Sequence, residues 1–209
     1  MTGTEPVIFI IDDDPSVRRS LERLMKSVGL VAESFASARE FLQRGHWAET
    51  GCLVLDVRMP EISGLDLQEQ LARAGIFLPI IFISGHGTVP MSVRAMKAGA
   101  TDFLLKPFDE QDLLDSVQRA IDQAGREKAQ RDEKQEIRER VGALTPREHE
   151  VFSLVISGFM NKQIADRLKT SEKTVKVHRA SIMAKMDART LADLVRMAEK
   201  AGIQPLQSK

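Results

Sequence analysis

The sequence predicts an α/β domain followed by an all-α domain, and three observations carry that prediction. Over about the first 120 residues, short apolar runs alternate with amphipathic stretches, as expected for strands covered on both faces and joined by helices. After Val141 the apolar spacing is helical throughout. The charge also changes sign along the chain: residues 1–125 hold 12 Lys and Arg against 18 Asp and Glu, and residues 126–209 hold 18 against 12. An acidic half joined to a basic half suits a cation or phosphate site in one and a polyanion partner for the other, although solvation alone produces the same asymmetry.

Val7 to Ile11, Cys52 to Leu55 and Ile80 to Ile83 are the continuous apolar runs, with Val31 to Phe35 and Phe103 to Leu105 as weaker strand candidates. Asp14-Pro15 opens the first helix, whose stripe is Leu21, Leu24, Met25 and Val28. Leu67, Leu71 and Ala74 form a second stripe. Met91, Ala95 and Ala98 before Gly99 form a third, and Leu113, Val117 and Ile121 a fourth. Five strands alternating with five helices imply a parallel sheet with helices on both faces. From Gly125 to Arg140 the chain is charged, with almost no apolar residues and no Pro, which reads as a solvated helix leaving the first domain or as a flexible linker.

Thr145-Pro-Arg-Glu148 is a capping box that starts a helix running towards Ser157, and Gly158 ends it. A short helix follows from about Asn161 to Leu168, Thr170-Ser171 caps a longer one reaching Met186, and Thr190 to Ala201 is a fourth. The expected boundaries are therefore residues 1–122, a helical linker 123–142, and residues 143–209.

Composition narrows the class. A chain of 209 residues with 43% hydrophobic and 29% charged residues is an ordinary globular one. Its single cysteine, Cys52, excludes an intramolecular disulfide, fits a reducing compartment, and reads as a small buried packing residue. No apolar stretch is long enough to cross a bilayer, and no basic segment precedes an apolar one at the N-terminus. A cytoplasmic protein with no membrane partner is expected.

Polar residues gather at the carboxyl ends of four strands, where ligands bind in open doubly wound sheets. Asp12 and Asp13 follow the first strand, Asp56 the third, Ser84 the fourth, and Lys106-Pro107 the fifth. In a sheet of order 2-1-3-4-5 the ends of strands 1 and 3 are neighbours, so three carboxylates crowd one volume and call for a cation; oxygen-only donors suit Mg²⁺. A carboxylate beside a hard cation, with a Lys and a hydroxyl across from it, can accept a phosphoryl group. Each residue alone has a plainer reading: helix cap, turn or surface Lys. Their co-occurrence at the correct strand ends decides.

The segments FIIDDD, LVLDVRMPEISG, IIFISGHG and DFLLKPF, in this order across residues 5 to 122, resemble the receiver domain of two-component response regulators. The resemblance implies a flavodoxin-like (βα)5 fold, phosphorylation on Asp56, and Mg²⁺ held by Asp13, Asp56 and the backbone carbonyl of Arg58, with Asp12 assisting through water. It further implies Ser84 as the switch hydroxyl in place of the more frequent Thr, Phe103 as the coupled aromatic, Lys106 as a phosphoryl-binding cation, and a cis Lys106–Pro107 peptide. Arg58 and His86 flank the pocket and can tune phosphoryl lifetime; His86 reads equally well as an exposed loop residue.

In the second half, Val175, Ile182 and Met186 give the long helix one apolar stripe, while Lys173, Lys176, Val177 and Ala180 line another face. A short helix and tight turn before it complete a helix-turn-helix whose second helix enters the major groove. Lys176 can donate to guanine and Val177 can meet a thymine methyl, with Thr174 beside them. Lys162, Lys173 and Arg179 suit phosphates. The plainer alternative is a four-helix bundle with a solvated basic face.

The run LTPREHEVFSLVISGFMNKQIADRLKTSEKTVKVHRASIMAKM resembles the LuxR-type helix-turn-helix of NarL/FixJ response regulators over residues 143 to about 201, and SGHGTVPMSVRAMKAGATDFLLKPF resembles the FixJ branch. Ala180 stands where relatives often carry a basic residue, which puts one base contact in doubt. Leu191, Leu194 and Val195 resemble the family's DNA-bound dimer contact, and core packing explains them nearly as well. The resemblance implies a sensor histidine kinase as phosphoryl donor, homodimerisation through Val93, Lys97 and Asp102, double-stranded DNA and RNA polymerase as partners, and transcription activation. An Asp-nucleophile phosphatase is disfavoured because position 58 is Arg where such enzymes need a second carboxylate. Phosphorylation-independent DNA binding remains a rival.

Overall fold

The apolar runs form five strands: β1 (Val7–Ile11), β2 (Val31–Phe35), β3 (Gly51–Asp56), β4 (Ile80–Ser84) and β5 (Asp102–Leu105). All pair in parallel in the order β2-β1-β3-β4-β5. The computed structural model describes residues 5–45 and 50–204, and the chain divides into two units, Met1–Lys128 and Ala129–Lys209.

Alternation along a strand sends side chains to opposite faces, and here both faces are covered, so both sets are apolar. Phe9, Ile11, Leu53, Leu55 and Phe82 pack with Phe41, Leu67, Leu71 and Ala95. These come from α2 (Ala38–Gln43), α3 (Gly64–Arg73) and α4 (Val89–Lys97). Ile8, Ile10, Cys52, Val54, Ile81 and Ile83 face the other way, against Leu21 and Met25 of α1 (Pro15–Ser27) and Leu113, Val117 and Ala120 of α5 (Glu110–Gly142). Burial pushes the Cys52 thiol up to about 12, so it is a packing residue with no thiolate to offer near neutral pH.

The caps explain the helix starts. Asp14 accepts from Ser16 N at 2.7 Å at the head of α1. No apolar stripe announces α2, but its Ser37-x-x-Glu40 pattern does: Ser37 accepts from Glu40 N, and Glu40 accepts from Ala36 N at 2.7 Å.

The second unit packs α6 (Pro146–Ile156), α7 (Asn161–Leu168), α8 (Glu172–Met186) and α9 (Leu191–Ala201) around Val151, Phe152, Ile164, Val175, Ile182, Met186 and Leu194. Its core also takes in Ile137 and Val141 from the end of α5. Residues 129–136 of that helix are exposed, as their charged composition requires.

Candidate functional site

The strand register sets the candidate site. Ile11 pairs with Leu55, so Asp12 and Asp56 leave neighbouring strands side by side. Asp56 pairs with Ile83 and Ser84 with Leu105, which brings Ser84 and Lys106 to the same carboxyl edge. Lys106 Nζ donates to Asp12 Oδ2 at 2.6 Å and to Asp56 Oδ1 at 2.8 Å. Arg58 N donates to the second Asp56 oxygen at 2.7 Å. Asp12 is 1% and Asp56 6% exposed. Burial raises the Asp56 carboxyl above its ordinary range, against the opposing pull of Lys106; burial likewise acts to lower Lys106, but its two carboxylate partners outweigh that and hold it raised.

Two of the three expected carboxylates therefore converge, with the Lys106 ammonium as the cation between them. Asp13 is exposed beside them, and no group of three metal-ligating side chains is gathered among the described residues. The donors nonetheless fit a hard cation: anionic carboxylate oxygens already arranged about a positive charge, at a solvent-facing edge.

Ser84 is buried and accepts from His86 N at 3.2 Å, while the His86 side chain is exposed. Phe103 is half-buried with its ring 6.1 Å from that of Phe82. The Lys106–Pro107 peptide is cis.

Two neighbours of the site gain their role only in the structure: Arg18 had no sequence signal, and Gly64 showed only as the residue closing the LVLDVRMPEISG segment. Arg18 Nη1 donates to the Asp12 carbonyl at 2.6 Å, which holds the end of β1. Gly64 lies so close to β3 that a Cβ there would sit 2.3 Å from the Asp56 carbonyl oxygen. Only glycine allows α3 to start against that strand.

On α4 and β5, Val93 is 46% exposed and Lys97 is exposed; Val89, Met96 and Leu105 extend this surface at 77%, 46% and 55%. Asp102 is already engaged inside its own chain: it accepts from Ser116 Oγ and Arg119 Nη2, both at 2.6 Å, and from Phe103 N at 2.8 Å. Despite the raising effect of burial, these donors keep its carboxyl below the usual carboxylate range.

In the second unit, Ser171 caps α8 by accepting from Thr174 N at 3.1 Å. Lys162, Lys173, Lys176 and Ala180 are exposed, Val177 is 62% exposed, and Thr174 and Arg179 are half-buried. Val177, exposed next to Lys176 and four residues after Lys173, is an apolar contact placed on a basic face. Val175, Ile182 and Met186 are fully buried on the opposite side.

Residues 8–118 match the family described as response regulator receiver domain, and residues 142–198 match bacterial regulatory proteins of the luxR family. The chain is 50% identical to Nodulation protein W of Bradyrhizobium diazoefficiens, over 96% of this chain and 88% of that one. It is 42% identical to Transcriptional regulatory protein FixJ of Rhizobium meliloti, over 97% and 99%. Among solved structures, response regulator StyR matches with a TM-score of 0.82 and 47% identity over 94% of this chain and all of that one. Full-length FixJ from B. japonicum matches at 0.58 and 40% over 96% and 99%.

Proposed function

The chain belongs to the NarL/FixJ family of two-component response regulators, a transcription regulator and not an enzyme, and from that premise we propose that Asp56 is its phosphoryl acceptor and that phosphorylation dimerises it on DNA. The observation that carries the reading is the convergence of Asp12, Asp56 and Lys106 at one strand edge, with the buried Ser84 beside them.

A sensor histidine kinase supplies the phosphoryl group: an Asp56 carboxylate oxygen bonds to phosphorus as the bond to the kinase imidazole nitrogen breaks. Asp12, Asp13, Asp56 and the Arg58 carbonyl would hold Mg²⁺, which supplies neutralisation of the phosphoryl oxygens. Lys106 pairs with a phosphoryl oxygen once its salt bridge to Asp56 is released, and the Ser84 hydroxyl donates to another. Phe103, packed next to this edge, moves with Ser84. The exposed Val89, Val93, Met96 and Leu105 then become the apolar centre of a receiver–receiver contact, with Lys97 and Asp102 at its rim.

Two DNA-binding units on adjacent half-sites gain affinity by effective concentration. Lys176 and Val177 read bases with Thr174 and Ala180 alongside, and Lys162, Lys173 and Arg179 hold phosphates. A regulator so placed contacts RNA polymerase and activates transcription in the cytoplasm.

The test is molecular mass by light scattering, with and without Mg²⁺ and beryllofluoride, for wild type and Asp56→Asn. A monomer-to-dimer shift in wild type alone is expected. No shift, or the same shift in both proteins, overturns the proposed switch.

A further inference from the structure

We propose that Glu148 is a positioning residue for DNA recognition: by pinning the rotation of α8 it determines how well the protein distinguishes its operator from other DNA. The inference rests on the reading of α8 as the helix that enters the groove. From sequence, Glu148 is only the partner in a helix cap. The structure gives it three donors from two elements. Glu148 Oε2 accepts from Thr145 N at 2.8 Å and from Lys185 Nζ at 2.7 Å, and Oε1 accepts from Ser181 Oγ at 2.6 Å. The residue is 5% exposed. With Lys185 first among these partners and Ser181 second, its carboxyl is held down at about 2, so it is ionised wherever the protein works.

The placement of these partners on α8 matters. At about 100° per residue, Ser181 and Lys185 share one flank, roughly a quarter turn from the exposed face of Lys173, Lys176, Val177 and Ala180. They lie about as far from the buried stripe of Val175, Ile182 and Met186. Apolar packing tells α8 which side faces inward, but it is non-directional and tolerates a small roll. Two hydrogen bonds from one flank to a single carboxylate do not. A roll of about 10° moves a side-chain tip about 5–6 Å from the axis by about 1 Å. That breaks a bidentate or close apolar base contact, whereas flexible Lys side chains follow a phosphate across the same distance.

Glu148 also neutralises Lys185, whose side chain is 36% exposed. Removing the carboxylate charge therefore adds a free cation to a DNA-binding unit. The two consequences have opposite signs: contact with bases weakens, while attraction to any duplex holds or strengthens.

The experiment uses the full chain with Mg²⁺ and beryllofluoride, and two duplexes: one enriched by wild type from a random library, and a scramble of it. Affinities are read by fluorescence anisotropy for wild type, Glu148→Gln and Lys176→Ala. For Glu148→Gln, the enriched duplex is expected to bind about tenfold or more weaker, with the scramble unchanged or tighter. A role confined to stability would weaken both. An enriched-to-scramble ratio equal to wild type, or an equal loss on both duplexes, overturns the inference. Lys176→Ala separates the two layers: if it keeps the wild-type preference, the reading of α8 itself fails; if it loses the preference and Glu148→Gln does not, only the role of Glu148 fails. Should circular dichroism show Glu148→Gln unfolded, Ser181→Ala takes its place, since it removes one anchor and keeps the charge pair. An unchanged ratio there is equally fatal.

Discussion

In the proposed reading Asp56 accepts a phosphoryl group, and its surroundings pull it two ways. Burial disfavours its charge, and Lys106 with the Arg58 amide restores it. The gathering of Asp12, Asp56, Ser84 and Lys106 at one sheet edge was legible from sequence because an apolar strand ending in Asp, Ser or Lys states where each side chain emerges, and parallel order does the rest. Arg18 and the partners of Glu148 were not, and Gly64 showed only as a turn residue, because what matters about them is a contact with a residue remote in sequence. Gly87 is another such residue. A Cβ on Gly87 would lie 2.3 Å from Leu105 Cδ2 and 2.8 Å from Phe103 Cε1. The same two side chains take part in the proposed switch and dimer face. Gly87→Ala is expected to force both aside and to lower receiver stability by about 1–3 kcal/mol, as overpacking does. Urea unfolding checks this. An unchanged midpoint would mean that Phe103 and Leu105 have room to yield, and that the switch is looser than its packing suggests.

Among the elements, the strands and the helices of the second unit were legible almost to the residue, because caps such as Thr145, Ser171 and Thr190 are local signals. The end of α5 was not. Composition marks residues 123–142 as a solvated helix, and one apolar residue in each turn near its end looks incidental. Yet Ile137 and Val141 are 4% and 8% exposed and belong to the core of the second unit. Arg140 Nη1 donates to the Met186 carbonyl at 2.9 Å, capping the C-terminus of α8, and Arg138 Nε donates to the Ala201 carbonyl at 3.2 Å at the end of α9. The tail of α5 thus closes the unit from below both helices. Ile137→Ala is expected to destabilise the second unit by about 2–5 kcal/mol while sparing the receiver. Thermal unfolding of the fragments starting at Ala129 and at Ala143 makes the same comparison, with the longer one expected to be the more stable. Equal melting of the two would show that α5 contributes only a tether.

On the scale of the whole molecule, net charge is zero, and that zero is divided: an excess of six acidic groups in residues 1–125 and of six basic groups in residues 126–209. A neutral protein has no long-range reason to approach DNA, so attraction has to come from the local field of the basic half. This makes the salt dependence of binding a direct reading of how many second units touch one duplex. Each chain offers three phosphate contacts in the proposed mode, Lys162, Lys173 and Arg179. With a slope of about −0.9 per phosphate, one chain gives log K against log salt a slope of about −3, and a bound dimer about −5. Anisotropy titrations over a series of salt concentrations, with and without Mg²⁺ and beryllofluoride, distinguish the two. The steeper slope is expected only in the activated protein, and Lys162→Ala should then remove about two contacts per dimer. A slope near −3 in both conditions would mean that a single unit engages each duplex, and that activation acts on something other than paired binding.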